Sequence, residues 1–203
     1  KGIINHIDKD SSFSIKTNFE IQPKLSIKND MDTPDFVEGE AIIRRIRLKF
    51  QGFVLNPKIN YYLQLGFSNK DIQSNRDPDN DNPGNLFDAY IKWEFMPKTS
   101  LLFGQAKLPA NLSRSMSYSK LNFIDRSFAE SRFTPYRDVG IQLHNEFSIG
   151  QVIFREAFAL SNGEGRNFQA IGHGYAFTGR FEALPLGDFK GNGQFCEMDI
   201  FRE

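Results

Sequence analysis

The 203-residue chain has little of what several common protein classes depend on. Its single cysteine, Cys196, permits neither an internal disulfide nor a cysteine-rich zinc site. Its 25 Lys and Arg residues balance its 25 Asp and Glu residues, so no overall field attracts nucleic acid. No apolar run approaches the roughly 18 residues that a membrane-spanning helix requires. These absences argue against a nucleic-acid binder and exclude a helical membrane protein.

Phenylalanine, by contrast, is abundant, with 21 residues, and the apolar side chains recur with a period of two. In segment 12–28 they occupy odd positions, with only Pro23 interrupting, while polar residues occupy the even positions. Such alternation predicts a long strand with one apolar and one polar face. The same pattern predicts strands in nine segments: 12–28, 40–54, 58–68, 86–96, 99–107, 139–148, 151–161, 174–183 and 193–203. No segment has a convincing helical period.

The alternation also assigns individual side chains to a face. In the strand predicted over 86–96 it places Phe87 on the apolar face and Asp88 on the polar face. In the second predicted strand Ile43 and Arg44 break the pattern. The period therefore predicts the orientation of most strand residues and leaves these two unexplained.

The links between the predicted strands alternate between short and long. Short links rich in Pro, Gly and Asn follow residues 54, 96 and 148, and long links cover four segments: 29–39, 69–85, 108–138 and 162–173. Short turns at one end and long loops at the other are typical of an outer-membrane barrel. Most predicted strands also reach the 9 to 11 residues or so that a tilted membrane strand needs.

We therefore predict an all-β fold, an up-and-down antiparallel transmembrane β-barrel of the outer-membrane porin type. Its apolar face would meet lipid and its polar face a wet lumen. Four aromatic residues near strand ends are candidates for the interfacial girdles: Phe53, Phe67, Phe95 and Phe147. The competing interpretation is a soluble antiparallel barrel or sandwich, whose buried face also alternates.

Nine strands do not close an ordinary bacterial barrel, which has an even number, and an eight-stranded barrel is filled by its own side chains. The chain starts at Lys1 without a methionine or signal peptide and ends at Glu203 inside a predicted strand. We expect a processed product and a fragment of a longer barrel. In this interpretation residues 1–11 form an N-terminal extension and 12–203 belong to the barrel.

A row of cations lies on the polar face of the second predicted strand. Arg45, Arg47 and Lys49 follow each other at alternate positions, roughly 6 to 7 Å apart. Guanidinium groups bind phosphate or carboxylate bidentately, and positive rows in a pore select anions. The alternative is that these cations pair with carboxylates of the same wall, such as Glu20, Asp88 and Glu94.

The long link 108–138 combines arginines with aromatic residues. A loop of about thirty residues is usually functional, and one with this much apolar area is expected to fold back onto the protein. Folded into the lumen, it would form a constriction and present four arginines: Arg114, Arg126, Arg132 and Arg137. The alternative is a capping loop on the outer surface whose charges pair with each other.

Several motifs together resemble the phosphate-selective porin O and P family. The resemblance spans roughly 12–190 and depends on six short runs: 44–50, 62–65, 88–90, 104–109, 123–127 and 135–140. The most specific are Gly-Gln-Ala-Lys-Leu-Pro at 104–109 and Asp-Arg-Ser at 125–127. The resemblance implies a sixteen-stranded, usually trimeric outer-membrane channel whose third loop folds inward, with this chain as the N-terminal half of the barrel.

The resemblance also implies a constriction in which arginines, lysines and an aspartate bind phosphate. Arg45, Arg47, Lys49 and Arg126 match positions of the family motifs. The other candidates, Arg114, Arg132 and Arg137, lie in a loop that differs from the family pattern in length and composition.

We therefore expect passive diffusion of small anions, with phosphate suggested by the resemblance, through a channel in the bacterial outer membrane. The expected partners are these anions, outer-membrane lipid, and a homotrimer or larger outer-membrane complex; no enzyme activity, cofactor, metal or nucleic acid is expected. One alternative is a non-conducting structural or assembly barrel, or a barrel held as the client of a larger outer-membrane machine. A soluble lipid- or ligand-binding barrel is another.

Two further motifs carry little chemistry. Segment 77–82 spaces oxygen ligands as calcium loops do, but Asn82 stands where such loops need a glycine. We interpret it as a solvated loop. Gly163 and Gly165 flank Glu164 after a predicted strand, but no helix follows, so a nucleotide-binding interpretation is weak. His144 is expected to be an ordinary polar residue of the lumen wall.

Overall fold

The computed structural model describes residues 4–8, 12–29, 37–73, 84–117, 126, 128, 135–168 and 174–188. Within these ranges there are nine strands and two short helices. In chain order they are β1 Ile4–Ile7, β2 Ser14–Asn29, β3 Val37–Val54, β4 Asn56–Gly66, α1 Asn69–Gln73, β5 Leu86–Met96, β6 Thr99–Lys107, α2 Leu112–Ser115, β7 Arg137–Ile149, β8 Val152–Ser161 and β9 Ala176–Leu184.

The described strands form one antiparallel sheet in which every strand pairs with its neighbour in sequence, β1 to β9. The predicted all-β, up-and-down topology is confirmed. Eight predicted strands correspond to β2 through β9, and the ninth, 193–203, lies outside the described residues. Strand β1 was not predicted; it forms in the expected N-terminal extension, where Ile4 pairs with Thr17 of β2.

The links alternate in length as the sequence predicts. One residue joins β3 to β4, and two residues join both β5 to β6 and β7 to β8, at what we call the turn end. At the opposite ends of the strands, which we call the loop end, the links are long: 30–36, 67–85, 108–136 and 162–175. The link after β6 is shorter than expected because Arg137 and Asp138 already belong to β7.

The two faces of the sheet are the reverse of those in a water-soluble protein. Apolar side chains in mid-strand are exposed, with Phe103 at 62% and Phe158 at 55%, whereas Arg45 on the opposite face is 1% exposed. A soluble sandwich would bury the phenylalanines in its core. An exposed apolar face is stable where hydrocarbon covers it, as on the outside of a membrane barrel.

Two β-bulges correct the orientations expected from strict alternation. In the β4–β5 pair, Gln64 lies opposite Asp88 but Leu65 lies opposite Leu86, which leaves Phe87 as an extra residue. A bulge re-aims the side chain of its extra residue. Phe87 is accordingly 3% exposed among polar groups, and its placement on the apolar face was wrong.

The second bulge explains why two residues of β3 break the alternation. Pro23 of β2 pairs with Ile43, and Gln22 pairs with Arg45, so Arg44 is the additional residue. Proline has no N–H to donate to the ladder and is commonly placed at such irregularities. As a result Ile43 is exposed on the apolar side while Arg44 is buried.

Aromatic side chains gather near the turn end. They contact each other in four pairs: Phe13 with Tyr61, Trp93 with Phe95, Phe147 with Phe154, and Phe154 with Phe181. This arrangement matches an interfacial girdle and includes two of the residues predicted for one, Phe95 and Phe147. Separately, no helix within the described ranges is both long and apolar enough to cross a membrane.

Candidate functional site

The three cations predicted on β3 all lie on the polar face, and each meets a partner. Arg45 donates to Gln22 Oε1, and Lys49 forms an ion pair with Glu20 at 2.7 Å. Arg47 reaches Asp71 Oδ1 of α1 at 3.5 Å. The pairing of Lys49 with Glu20 is the arrangement that the alternative interpretation anticipated for this residue.

Phe87 is the centre from which the candidate site is built. The Cζ atoms of Arg47, Arg137 and Arg166 lie 4.5, 5.1 and 3.8 Å from the centroid of its ring. A guanidinium within about 6 Å of an aromatic ring is attracted to the negative potential of its face. One phenylalanine therefore holds three arginines that belong to β3, β7 and the link after β8.

A second ring extends this arrangement into the link between β6 and β7. The Cζ of Arg114, in α2, lies 4.1 Å from the centroid of Tyr136, and the Cζ of Arg137 lies 4.2 Å from the same centroid. Arg137 thus contacts both rings and connects them. We call Arg47, Arg114, Arg137 and Arg166 the arginine cluster; Phe87 and Tyr136 are its two rings.

Two carboxylates accompany these four arginines. Asp88 binds Arg137 bidentately, with Nε–Oδ1 at 2.7 Å and Nη2–Oδ2 at 2.9 Å, and both side chains are buried. Asp71 faces Arg47. Charged groups removed from water need such partners, because their desolvation is costly. Among these described side chains, four cations accompany two anions, an excess of two positive charges.

Arg166 was missed as a candidate, because its surroundings in sequence indicate only a loop. It is 3% exposed and donates from Nη2 to the backbone carbonyl of Asp71 at 3.0 Å. Burial, and after it the charge of Arg137, lowers the pKa of Arg166 to about 10, so this side chain is still charged at neutral pH. Its only signal in the sequence is an arginine within a short run of Gly and Asn.

Arg126 and Lys107 donate hydrogen bonds to backbone carbonyls at the end of α2. Lys107 donates from Nζ to the carbonyls of Ser115 and Met116 at 2.9 and 2.7 Å, and Arg126 donates from Nη2 to Met116 at 2.8 Å. The last carbonyls of a helix have no partner within it and favour cations. Lys107 therefore holds the end of α2, which carries Arg114, against β6, and Arg126 holds it from within the link. Arg132 lies outside the described residues.

Toward the turn end the polar face opens into space large enough for water and small solutes. One cavity of about 400 Å³ lies against β5 to β9, a second of about 410 Å³ lies against β1 to β5, and they share Lys92 and Glu94. The first includes His144, which contacts Gln142 at 3.1 Å as part of the polar wall.

Most of the charged side chains around these cavities take part in ion pairs. Four ion pairs join lysines or arginines to glutamates at 2.7 to 3.0 Å: Lys92 with Glu94, Lys98 with Glu146, Arg155 with Glu146, and Arg180 with Glu182. In the part of the turn end that the structure describes, most cations around the cavities therefore have a glutamate partner in an ion pair. Segment 77–82, which we interpret as a solvated loop despite its calcium-like spacing of oxygen ligands, lies outside the described residues.

An apolar face that no second layer covers in the described part of the chain, a charged opposite face and links that alternate in length are the features of a porin-type β-barrel of the bacterial outer membrane. The chain belongs to the phosphate-selective porin O and P family, whose model matches residues 19–186. No curated protein shows a significant match to the chain. The predicted family and location are thereby confirmed, and the protein is an outer-membrane porin.

Proposed function

We propose that this porin passes small anions, phosphate among them, in preference to cations. The observation that carries the proposal is the arginine cluster, in which four guanidinium groups accompany two carboxylates. Its excess positive charge belongs to the wall of the lumen, on the polar side of the sheet. Permeation is passive, and the chain supplies charge and shape without covalent chemistry or a cofactor.

The guanidinium groups act mainly through their electric field. Arg47, Arg137 and Arg166 are each 3 to 4% exposed, so a passing ion has little direct contact with them. A unit charge about 8 Å from an ion still changes the energy of that ion by about 0.5 kcal/mol in a medium as polar as water. The effect lowers the barrier for anions and raises it for cations. Arg45, on the same face, extends the positive wall, and Lys49 lies beside it with its charge compensated by Glu20.

The link 108–138 is proposed to narrow the channel at the height of the cluster. In support, Arg114 of α2 is buried, and the ring of Tyr136 contacts both Arg114 and Arg137. Arg137, which belongs to β7, thus joins this part of the link to the polar side of the sheet. Arg126, which holds α2, contributes to the constriction through the position of Arg114. The homotrimer implied by the family resemblance is part of this proposal.

The test is the reversal potential of the complete protein in planar bilayers across a potassium chloride gradient. We expect a preference for chloride over potassium, and a reduced chloride conductance when phosphate is added. Arg114→Gln should lower the permeability ratio of anion to cation about twofold, because one positive charge near the pore is removed. Lys58→Gln, which neutralises an exposed lysine at the turn end, is the control.

Two results would contradict the proposal. If the wild-type channel shows no preference for anions over cations, the arginine cluster does not determine ion selectivity. A protein that inserts into the bilayer and never conducts favours the alternative of a structural or assembly barrel.

A further inference from the structure

The link after β8 is fastened to the sheet along segment 162–168. Backbone N–H groups of Asn162 and Gly163 donate to the carbonyl of Val139, at 3.1 Å, and to the carboxylate of Asp138. These contacts tie the start of the segment to the loop end of β7. A link that only capped the barrel from outside would not need them.

The far side of the segment is tied to β6. Asn167 and Gln105 exchange two hydrogen bonds: Asn167 N donates to Gln105 Oε1 at 3.0 Å, and Gln105 Nε2 donates to Asn167 Oδ1 at 3.2 Å. Gln105 is buried and also donates to the carbonyl of Phe87 at 3.0 Å. Through Gln105 the segment is thus connected to Phe87, whose ring contacts three arginines of the cluster.

The backbone of the segment adopts a conformation that few sequences allow. Gly163, Gly165 and Asn167 have φ values of 87°, 92° and 65°. Glycine adopts positive φ without steric cost, and asparagine does so more readily than most residues. The run Asn-Gly-Glu-Gly-Arg-Asn therefore encodes a compact bend, and this bend directs Arg166 toward Phe87.

Arg166 joins three parts of the loop end. Its guanidinium lies on the ring of Phe87 in β5, donates to the carbonyl of Asp71 in α1, and shares the ring with Arg137 of β7. Like charges placed this close repel each other unless structure holds them. The anchored segment supplies that structure.

We propose that segment 162–168 is a second inward-folded part of the channel wall, in which Arg166 fixes the arginine cluster in place and supplies one of its charges. Arg166 is thus a positioning residue that also contributes to selectivity. The inference rests on the proposed function for its electrical consequence. Its structural consequence, a less ordered constriction when Arg166 is replaced, is independent of ion preference.

The experiment compares single channels of the complete protein with Arg166→Gln, Arg166→Lys and, as control, Lys58→Gln. Two quantities are recorded: the permeability ratio of anion to cation and the noise of the open-channel current. Arg166→Gln should lower the ratio about two- to threefold and raise the noise, because both the charge and the contacts are lost. Arg166→Lys should restore the ratio but not the low noise, since an ammonium group lacks the planar fork of a guanidinium. Lys58→Gln should change neither quantity.

The outcomes separate this inference from the proposed function. If the wild type shows no anion preference, the proposed function fails, while raised noise in both Arg166 variants still supports the wall segment. If the wild type prefers anions and both Arg166 variants match it in ratio and noise, the inference is overturned and the proposed function stands. Should Arg166→Gln fail to insert, the noise of Arg166→Lys decides in the same way.

Discussion

At the scale of single residues, the candidate site depends on Phe87 and Asp88, which follow each other in β5. Phe87 is an apolar residue on the polar side of the sheet, and three guanidinium groups surround its ring. A desolvated cation–π contact contributes about 2 kcal/mol, which partly offsets the repulsion among the arginines. Asp88 offsets more of it by binding Arg137 through two hydrogen bonds.

Replacing Asp88 by Asn should destabilise the folded protein by about 3 to 5 kcal/mol, because Arg137 would remain buried without an anionic partner. The measurement is the free energy of unfolding in urea for protein refolded into lipid vesicles.

The matched control for this substitution is Asp188→Asn. Asp188 pairs with Arg155 at 2.7 Å in an exposed position, where such a pair contributes about 0 to 1 kcal/mol. Equal losses from the two substitutions would show that the buried pair has no special role.

At the scale of elements, the site forms where strand pairing is irregular. The bulge between β4 and β5 turns Phe87 inward, and the ring then occupies the space above Gly66, the last residue of β4. A Cβ atom at Gly66 would overlap the ring of Phe87. The close approach of the Phe87 ring therefore requires a glycine at this end of β4. The sequence of β4 thus depends on the bulge in its pairing with β5.

Gly66→Ala should force the Phe87 ring away from the arginines and cost about 1 to 3 kcal/mol, the range for overpacking a filled site. Urea unfolding in vesicles measures this cost, and the single-channel noise should rise with it.

Gly179→Ala in β9 is the control for Gly66→Ala. A Cβ atom there would lie 3.4 Å from the ring of Phe158, an ordinary contact, so stability should be unchanged or slightly higher. If Gly66→Ala is tolerated as well as Gly179→Ala, the ring has room to move and does not fix the cluster.

At the scale of the whole molecule, lipid takes the place of a hydrophobic core. The chain buries arginines and aspartates on one side of the sheet and exposes isoleucines and phenylalanines on the other. Such a distribution is unstable in water and stable in a bilayer, because a barrel pairs its backbone groups between strands while its apolar face meets hydrocarbon. Membrane insertion and folding are therefore coupled.

The single tryptophan, Trp93, tests this arrangement directly. It is half-exposed on the apolar face close to the turn end, so its fluorescence should be quenched most by lipids brominated near the head group. Trp93→Phe combined with Phe103→Trp moves the probe two residues, about 7 Å, along the strands toward mid-membrane. Quenching should then be strongest for bromine deeper in the chain.

The depth profile can also contradict the membrane arrangement. Fluorescence insensitive to brominated lipid, together with free access of aqueous acrylamide to both tryptophan positions, would mean that the apolar face does not meet lipid.

The sequence by itself determined the properties that depend on local periodicity. Alternation over segments such as 58–68 predicted β4, and the link lengths predicted the turn end and the loop end. The faces of Arg45, Arg47 and Lys49 were predicted for the same reason, because successive strand residues point to opposite sides. Family membership was evident from short motifs that the family model then matched.

Only the tertiary structure decided which of these residues meet. The inward turn of Phe87 depends on a register shift between two strands, and no single strand's alternation contains that shift. Arg166 joins the cluster through a contact with Asp71, 95 residues earlier in the chain. The period of a strand is a local property of the backbone, whereas a bulge and a long-range contact arise from pairing between distant segments. The regular strand pairing was therefore predictable from the sequence, whereas the candidate site depends on a bulge and on long-range contacts that were not.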